Sequence, residues 1–338
     1  MTSNKRSNSQ DVADLAGVSQ ASVSRAFTRG ASISPKTKAK IFSAAAKLGY
    51  TPNIIARSLS KKQSGLVGVL FANWEHPKAA EILKGLCVAI TAQGFKPIVQ
   101  SAGVQVSADT AFTDFLCYQV DGVIVFSTSP SATMSAQCLR NNVPVVILNH
   151  TTPGITASFI TINSHNVGRQ IANALSRPQR KRIAIVSADS QNQVVLGIRN
   201  AVAETLSDFP DATIVSERTG IRCYESGRST MLDLWNEDDK PDALICTSDY
   251  TALGALSACR NQLKLTVPED ISIIGLGDIA AASWEEHNLS TVKIPHDELV
   301  QVAVDTLINK IDSQSVVPNS IQLDAQLILR GTTDEPVL

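Results

Sequence analysis

With 338 residues, of which 43% are hydrophobic and 18% charged, the chain is long enough for two or three folded units and too apolar to be disordered as a whole. Its formal net charge of −1 hides a strong asymmetry. Residues 1–62 contain eleven Lys and Arg against Asp11 and Asp14, a net of +9, so the remaining residues carry a net of −10. A basic head on an acidic body predicts that the head binds a polyanion.

The sequence lacks the patterns of several other protein classes. No apolar run reaches the roughly 18 residues that span a membrane, and none follows the basic N-terminus as it does in a secretion signal. The six cysteines form no C-x-x-C pair and the five histidines no metal-ligand spacing, so we expect a cytoplasmic protein with reduced thiols, no metal and no cofactor. Hydrolase, Walker and zinc-protease motifs are missing, and Gly275-Leu276-Gly277 lacks the third glycine of a dinucleotide fingerprint. The chain is therefore not expected to be an enzyme.

Three short helices are predicted in the head. Asn8 can cap the first helix, and Gly17 can end it in a left-handed conformation. Its predicted apolar side consists of Val12, Ala13, Leu15 and Ala16. Ser19 then caps a second helix, from Gln20 to about Phe27. Two short helices joined by a tight glycine turn are typical of a helix-turn-helix.

The third predicted helix begins at Ser34-Pro35, where the serine caps and the proline takes the first helical position, and it ends near Leu48. Ile41, Phe42, Ala45 and Leu48 recur at helical spacing. That period predicts that these side chains form the buried side of the helix.

The outward side of the second helix is predicted to read DNA bases. If Val23, Ala26 and Phe27 are buried, the outward residues are Gln20, Ala21, Ser24 and Arg25. Glutamine pairs with adenine, arginine pairs with guanine, and alanine can touch the methyl group of thymine. Ser19, Ser22 and the lysines of the third helix are expected to contact phosphates, which position a protein on DNA without specifying sequence.

Three segments of the head resemble the N-terminal module of the LacI/GalR family of transcription regulators: DVADLAGVSQASVSR (11–25), SPKTKAKI (34–41) and LGYTPNIIARSL (48–59). Ser22 stands where the family commonly has Thr. The resemblance implies a hinge helix over 52–60 that orders when two subunits meet on operator DNA. It also implies that Leu59 inserts into the minor groove as an apolar wedge, beside Arg57. Asn53 and Ala56 of the same segment are expected DNA contacts.

From Leu66 the pattern changes to short apolar runs that alternate with helical segments. Nine strands are predicted, at 66–71, 96–100, 122–126, 144–148, 182–186, 212–216, 243–247, 271–276 and 291–294. Helical segments between them include 79–93, 166–176, 195–206, 225–236 and 250–261. This alternation predicts parallel sheets with helices on both faces. Nine strands exceed one compact sheet, so we expect an α/β body of two similar Rossmann-like lobes with a ligand site between them.

The body resembles the same family and the type I periplasmic binding proteins in VDGVI (120–124), SDYTALGAL (248–256), VPEDISIIG (267–275) and LSTVK (289–293). The resemblance covers essentially the full chain. It implies a DNA-binding domain over 1–62 and an effector-binding and dimerisation domain over 63–338. Within the latter, lobe 1 is expected at about 63–160 and 293–322, and lobe 2 at about 161–292 and 323–338. Because the chain stops soon after Arg330-Gly331, without a tetramerising coil, a homodimer is expected.

The expected effector site departs from the family's pattern. Positions that hold a sugar in many members are occupied here by Val194, Gly277-Asp278, Asn149, Arg222, Ser164-His165 and His76-Pro77-Lys78. An ordinary neutral pyranose is therefore not the expected effector, because a site for its hydroxyls depends on the missing carboxylates and guanidinium. Arg222 and Lys78, if they face the cleft, favour a ligand with a carboxylate or phosphate. Trp74 can supply a stacking surface. The predicted contacts are Trp74, Ser127, Asn149, Val194, Arg222, Asp249 and Asp278.

Together these patterns predict a sequence-specific DNA-binding regulator, a repressor by its resemblance, that binds a palindromic operator as a dimer. A small molecule would act by changing the angle between the lobes. Two alternatives stay open, a cytoplasmic ligand-binding protein and a regulator that no longer responds to an effector. In the ligand-binding alternative, the basic head would not recognise a specific DNA sequence. Arg222 can equally be a solvated surface residue, and Trp74 a core residue.

Overall fold

The computed structural model describes residues 7–27, 32–51, 63–72, 74, 78–103, 106–126, 128–175, 180–187, 192–209, 211–220 and 223–334. The chain divides into two compact units, a head (Met1–Gly65) and a body (Leu66–Leu338). In these described ranges, no helix is both long and apolar enough to cross a membrane. The fold is a helical head followed by an α/β body with two sheets.

The head contains helices α1 (Ser9–Ala16), α2 (Gln20–Ala26) and α3 (Pro35–Lys47). The Asn8 side chain accepts the backbone N–H of Gln10 and of Asp11, and the Asp11 carboxylate accepts the N–H of Asn8 at 2.8 Å. This reciprocal capping box satisfies N–H groups that the helix itself leaves unpaired. Gly17, at φ 66°, ends α1 in the left-handed conformation that its lack of a Cβ permits.

The three helices enclose a small core, and two sequence predictions about it are wrong. Its buried members are Val12, Ala13, Val23, Ala26, Ile41, Ala44 and Ala45. Leu15 is 51% exposed and Phe42 is 42% exposed. At about 100° per residue, both side chains lie well to one side of the buried face of their helix. The Phe42 ring instead packs edge-on against Phe27, with centroids 4.9 Å apart.

The first sheet of the body contains six parallel strands in the order β11-β5-β4-β3-β1-β2. These strands are β1 (Leu66–Phe71), β2 (Lys96–Ser101), β3 (Gly122–Phe126), β4 (Val145–Leu148), β5 (Ser158–Ile162) and β11 (Ser320–Leu323). The helices of this part are α4 (Ala79–Ala92), α5 (Ala108–Cys117), α6 (Ala132–Arg140) and α11 (His296–Asp312). Apolar strands with no polar face fit this arrangement, because a parallel sheet is covered on both sides.

The second sheet has the order β12-β10-β9-β8-β6-β7 and is parallel except for β12, which runs antiparallel to β10. Its strands are β6 (Arg182–Ser187), β7 (Thr213–Thr219), β8 (Ala243–Cys246), β9 (Ser272–Leu276), β10 (Ser290–Lys293) and β12 (Gln326–Ile328). The helices are α7 (Ser164–Leu175), α8 (Gln193–Leu206), α9 (Tyr224–Trp235) and α10 (Asp249–Ser257), the last continued by a π-helical turn, Ala258–Leu263. The prediction of an all-parallel sheet is therefore wrong for the edge strand β12.

Three strands, β5, β11 and β12, were not predicted from the sequence. β11 and β12 have four and three residues and lie at sheet edges, so their sequences carry too little apolar alternation to be recognised. The chain passes between the sheets after β5, after β10 and between β11 and β12. Because parallel strands end at the same edge, the carboxyl ends of β1, β3 and β4 lie together, as do those of β6, β8 and β9.

Candidate nucleic-acid interface and ligand cleft

Helix α2 has one buried and one exposed side. Val23 and Ala26 are buried in the head core. The Ser19 hydroxyl caps the helix by accepting the backbone N–H of Ser22 at 3.3 Å. The exposed residues are those predicted to read bases, Gln20, Ala21, Ser24 and Arg25. The local sequence folds in this way because a serine cap starts the helix and two apolar residues three apart fix its orientation.

Two of the exposed side chains already have defined positions. Gln20 Nε2 donates to the Ser9 hydroxyl at 2.7 Å, which joins the start of α2 to the start of α1. Arg25 Nε donates to the Ala21 carbonyl at 3.4 Å, so the guanidinium lies back along α2 toward its N-terminal turn. In helix-turn-helix proteins this turn approaches the base edges.

Groups suited to phosphate occur at the start of α2 and on α3. The Ser19 and Ser22 hydroxyls are 2.9 Å apart at the start of α2. Helix α3 presents four exposed lysines, Lys36, Lys38, Lys40 and Lys47. Hydroxyl and ammonium groups around an amide- and guanidinium-bearing helix form the combination expected of a DNA-binding surface.

Several predicted site residues lie outside the described part of the chain. These are the hinge residues Asn53, Ala56, Arg57 and Leu59 and the effector candidates Ser127 and Arg222. The hinge helix over 52–60 and the roles of these six residues stay predictions from the sequence.

In the body, Trp74 follows β1 at the carboxyl edge of the first sheet. The indole Nε1 donates to the Ser101 hydroxyl at 2.6 Å, and the ring lies against Phe71 with centroids 5.1 Å apart. Its side chain is nevertheless 47% exposed. Trp74 is therefore a fixed, half-open aromatic surface rather than a core residue.

Asn149 follows β4 at the same edge, and here the two lobes touch. Its backbone, in a left-handed conformation at φ 49°, donates to the Ile160 carbonyl and accepts from Asn192 Nδ2 at 3.5 Å. Asn192 also caps α8 of the second lobe by accepting the Val194 N–H. Among the described residues, the buried Oδ1 of Asn149 has no hydrogen-bond partner. A buried acceptor of this kind suits a ligand that brings an N–H or O–H.

Asp278 follows β9 at the carboxyl edge of the second sheet. Its Oδ1 lies 2.7 Å from the guanidinium of Arg330, and both side chains are largely buried. Arg330 also donates to the Leu289 carbonyl at 2.7 Å. The one carboxylate that the sequence retains after Gly277 is therefore neutralised by a cation 52 residues away in the chain. Arg330 had no sequence signal, since nothing local connects it to this loop.

Comparison with known proteins agrees with both parts of the chain. Residues 9–53 match the model of bacterial regulatory proteins of the lacI family, and residues 172–333 match a periplasmic binding protein-like domain. The transcriptional repressor CytR of Escherichia coli K12 is 27% identical over 328 residues, which cover 96% of this chain and 95% of CytR. The chain combines a DNA-binding domain of the lacI family with a periplasmic binding protein-like domain. It is accordingly a DNA-binding transcriptional repressor, and these relatives are not enzymes.

Other relatives match this protein over nearly its whole length, as CytR does. The repressor PurR of Proteus mirabilis is 27% identical, with 97% of this chain and 98% of PurR covered. A structure of the lac repressor bound to ONPG superposes with a TM-score of 0.83 at 27% identity and covers 97% of this chain and all of that one. The lac repressor dimer bound to operator and the anti-inducer ONPF also gives 0.83, at 26% identity, with 97% and 99% covered.

Two predicted effector contacts of this protein are not at the cleft surface. Val194 is buried in the first turn of α8, where it packs into the apolar core, because that side of α8 faces the body interior. Asp249 is 1% exposed, and both carboxylate oxygens accept hydrogen bonds, from the Thr291 hydroxyl and the Ile279 N–H. Burial raises the pKa of Asp249 to about 6, against the lowering effect of these two bonds. Neither side chain is placed to meet a ligand.

His296 was not singled out from the sequence, yet it lines a pocket of about 290 Å³ where the chain crosses from β10 to α11. The charged members of that pocket are Lys78, Glu81, Lys293, Asp297 and Glu298. Burial and, to a smaller extent, the charge of Lys78 lower the pKa of His296 to about 4. In the described part of the body and head, no cluster of three or more His, Cys, Asp or Glu could hold a metal ion.

His296→Gln should make the protein less sensitive to acid. Because the folded-state pKa of His296 lies below its ordinary 6.5, its contribution to stability is present above pH 6.5 and is lost as the pH falls toward 4. The loss of unfolding free energy between pH 7 and pH 5 should be about 2 kcal/mol smaller in the variant. Urea unfolding at the two pH values measures it, with the exposed His165→Gln as control. Equal losses in wild type and both variants would contradict the assignment.

Proposed function

We propose that this repressor binds a palindromic operator as a homodimer, in the cytoplasm, and that a small molecule between the lobes changes its operator affinity. The observation that carries the DNA-binding part is the exposed face of α2, with Gln20 and Arg25 beside hydroxyls and lysines in a head of net charge +9. The lac repressor has been solved as a dimer bound to operator and the anti-inducer ONPF, and also bound to ONPG. The shared architecture supports the same arrangement here.

The effector is proposed to carry a carboxylate or phosphate rather than to be a neutral sugar. Gly277 has no carboxylate and Asp278 is paired with Arg330, so this edge of the cleft does not repel an anion. Trp74 offers a ring surface and Asn149 a buried acceptor. A ligand with a flat portion and a hydrogen-bond donor fits these two groups.

The experiment that tests the function begins with selection of binding sites from random duplex DNA by the purified protein. A palindromic site with half-sites about one helical turn apart is expected. The selected duplex, fluorescently labelled, is then titrated with protein in the presence of acidic, phosphorylated and neutral metabolites. Enrichment of no sequence would favour a ligand-binding protein without operator recognition. Operator binding that no compound changes would favour a regulator without effector response.

Arg25→Ala should weaken specific binding by about 1–3 kcal/mol and relax the preference at one base pair of each half-site. The reason is that a guanidinium on the exposed face of α2 can form two hydrogen bonds to guanine. The measurement is the affinity for the selected site and for its single-base variants. Lys36→Ala, on α3, is the control and should weaken all sequences alike. A uniform loss with Arg25→Ala would make Arg25 a phosphate contact instead.

A further inference from the structure

We infer that Asp249 is a positioning residue of the ligand cleft: it holds the loop Gly277–Ile279, and thereby Asp278, in place at the carboxyl edge of the second sheet. The inference rests on the proposed function, because that function makes this edge part of the effector site. It assigns Asp249 a role different from the direct contact that the sequence suggests.

The carboxylate of Asp249 joins three segments that are distant in the chain. It belongs to the first residue of α10, directly after β8. Its Oδ2 accepts the backbone N–H of Ile279, 30 residues away, at 2.9 Å. Its Oδ1 accepts the hydroxyl of Thr291, on β10 and 42 residues away. Both bonds are buried, so water does not compete for them, and loss of either would leave a polar group unsatisfied.

Thr291 supports the loop a second time. The backbone N–H of Asp278 lies 3.4 Å from the Thr291 hydroxyl, which also donates to Asp249. One hydroxyl therefore connects the buried carboxylate to the residue that faces Arg330. Thr291 is fully buried, and its position on β10 is fixed by pairing with β9 and β12.

The Asp249 carboxylate is closely packed, and the loop that it holds has an unusual backbone conformation. A Cβ on Gly275 would lie 2.2 Å from Asp249 Oδ1, so the carboxylate packs directly on the glycine backbone. Gly277 has φ +139°, and Asp278 has φ 49°, a conformation that few non-glycine residues adopt. A loop that holds a non-glycine residue in this conformation is stabilised by hydrogen bonds to its surroundings.

Arg330 holds the same loop at Asp278. Its guanidinium contacts Asp278 and the Leu289 carbonyl, and its backbone N–H donates to the Ser290 hydroxyl at 2.8 Å. The loop is thus held by Asp249 and Thr291 at its inner side and by Arg330 at Asp278. This arrangement fixes the Asp278–Arg330 ion pair at the edge of the cleft, whereas Asp249 itself is buried and cannot meet an effector.

Amide hydrogen exchange of the full-length protein, without DNA, tests the inference with three variants. Thr291→Val removes the hydroxyl at nearly constant volume, and Thr291→Ser keeps it. Asp249→Asn replaces an oxygen with an N–H donor, which cannot accept both bonds. Exchange in the peptide that covers Gly277–Ile279 should accelerate about tenfold or more in Thr291→Val and Asp249→Asn, since local opening sets the exchange rate. Thr291→Ser should restore it to within about twofold of wild type.

Two comparisons separate positioning from general stability. Peptides from β8 and from β3 of the first sheet should exchange at wild-type rates in all three variants. Equal acceleration throughout the body, or no acceleration at the loop, would overturn the inference. Failure of the wild type to select any operator would refute the proposed function while leaving the exchange result intact.

Discussion

Gly254→Ala should destabilise the body by about 3 kcal/mol or more, the largest effect expected from a single methyl group in this protein. A Cβ at this position would lie 1.8 Å from the Tyr224 carbonyl oxygen and 2.8 Å from the backbone nitrogen of Arg228. Both atoms belong to the backbone of α9, so no side chain can move aside to make room. Helices α9 and α10 must instead separate, and the apolar contacts between them would be lost.

The measurement is urea unfolding followed by circular dichroism. Gly103→Ala is the matched control, because an added Cβ there meets nothing within 4 Å and its φ is not in the left-handed region. It should change the unfolding free energy by less than about 0.5 kcal/mol. Gly227→Ala, whose Cβ would lie 2.0 Å from the Thr251 carbonyl oxygen of α10, should repeat the effect of Gly254→Ala. Similar stability of Gly254→Ala and Gly103→Ala would show that the two helices do not pack backbone to backbone.

The second large effect concerns salt. Operator affinity should fall by about three orders of magnitude between 50 and 200 mM salt if about six phosphates are contacted, because each contact releases condensed counterions. The head has eleven Lys and Arg, and those on α3 are exposed beside α2. The measurement is fluorescence anisotropy of the selected operator over this salt range.

Variants that each remove one lysine charge show which part of the protein causes the salt dependence of operator affinity. Lys36→Gln, in the head, should reduce the slope of log affinity against log salt by about one. Lys96→Gln, an exposed lysine at the start of β2 in the body, should leave the slope unchanged. If both variants gave the same slope as wild type, the phosphate contacts would lie elsewhere than on α3.

Much of the head could be predicted because its signals are local. The Asn8 capping box, the Gly17 left-handed end and the Ser34-Pro35 start each involve residues within a few positions of one another. The predictions for Leu15 and Phe42 failed for a related reason. A helical period identifies an apolar side but not its width, which depends on how the neighbouring helices pack against it.

In the body, the alternation of apolar strands and helices was enough to predict the class of fold. The edge strands β11 and β12 were not predicted. The nine predicted strands all occur, since buried parallel strands are continuous apolar runs. Strands β11 and β12 are recognisable only by their pairing with β5 and β10. Pairing is a contact between residues far apart in sequence, so no window of the chain contains it.

The sequence by itself determined a basic helix-turn-helix head with Gln20 and Arg25 on its outer side and an α/β body, because short-range capping, charge and periodicity act within a few residues. Only the tertiary structure decided which polar residues of the body reach the cleft. Asp249, Thr291 and Arg330 act on one loop from 13 to 52 residues away, and Val194 lies in the core although its helix begins at the cleft. Burial and long-range hydrogen bonds set these roles, and both arise only when the lobes are assembled.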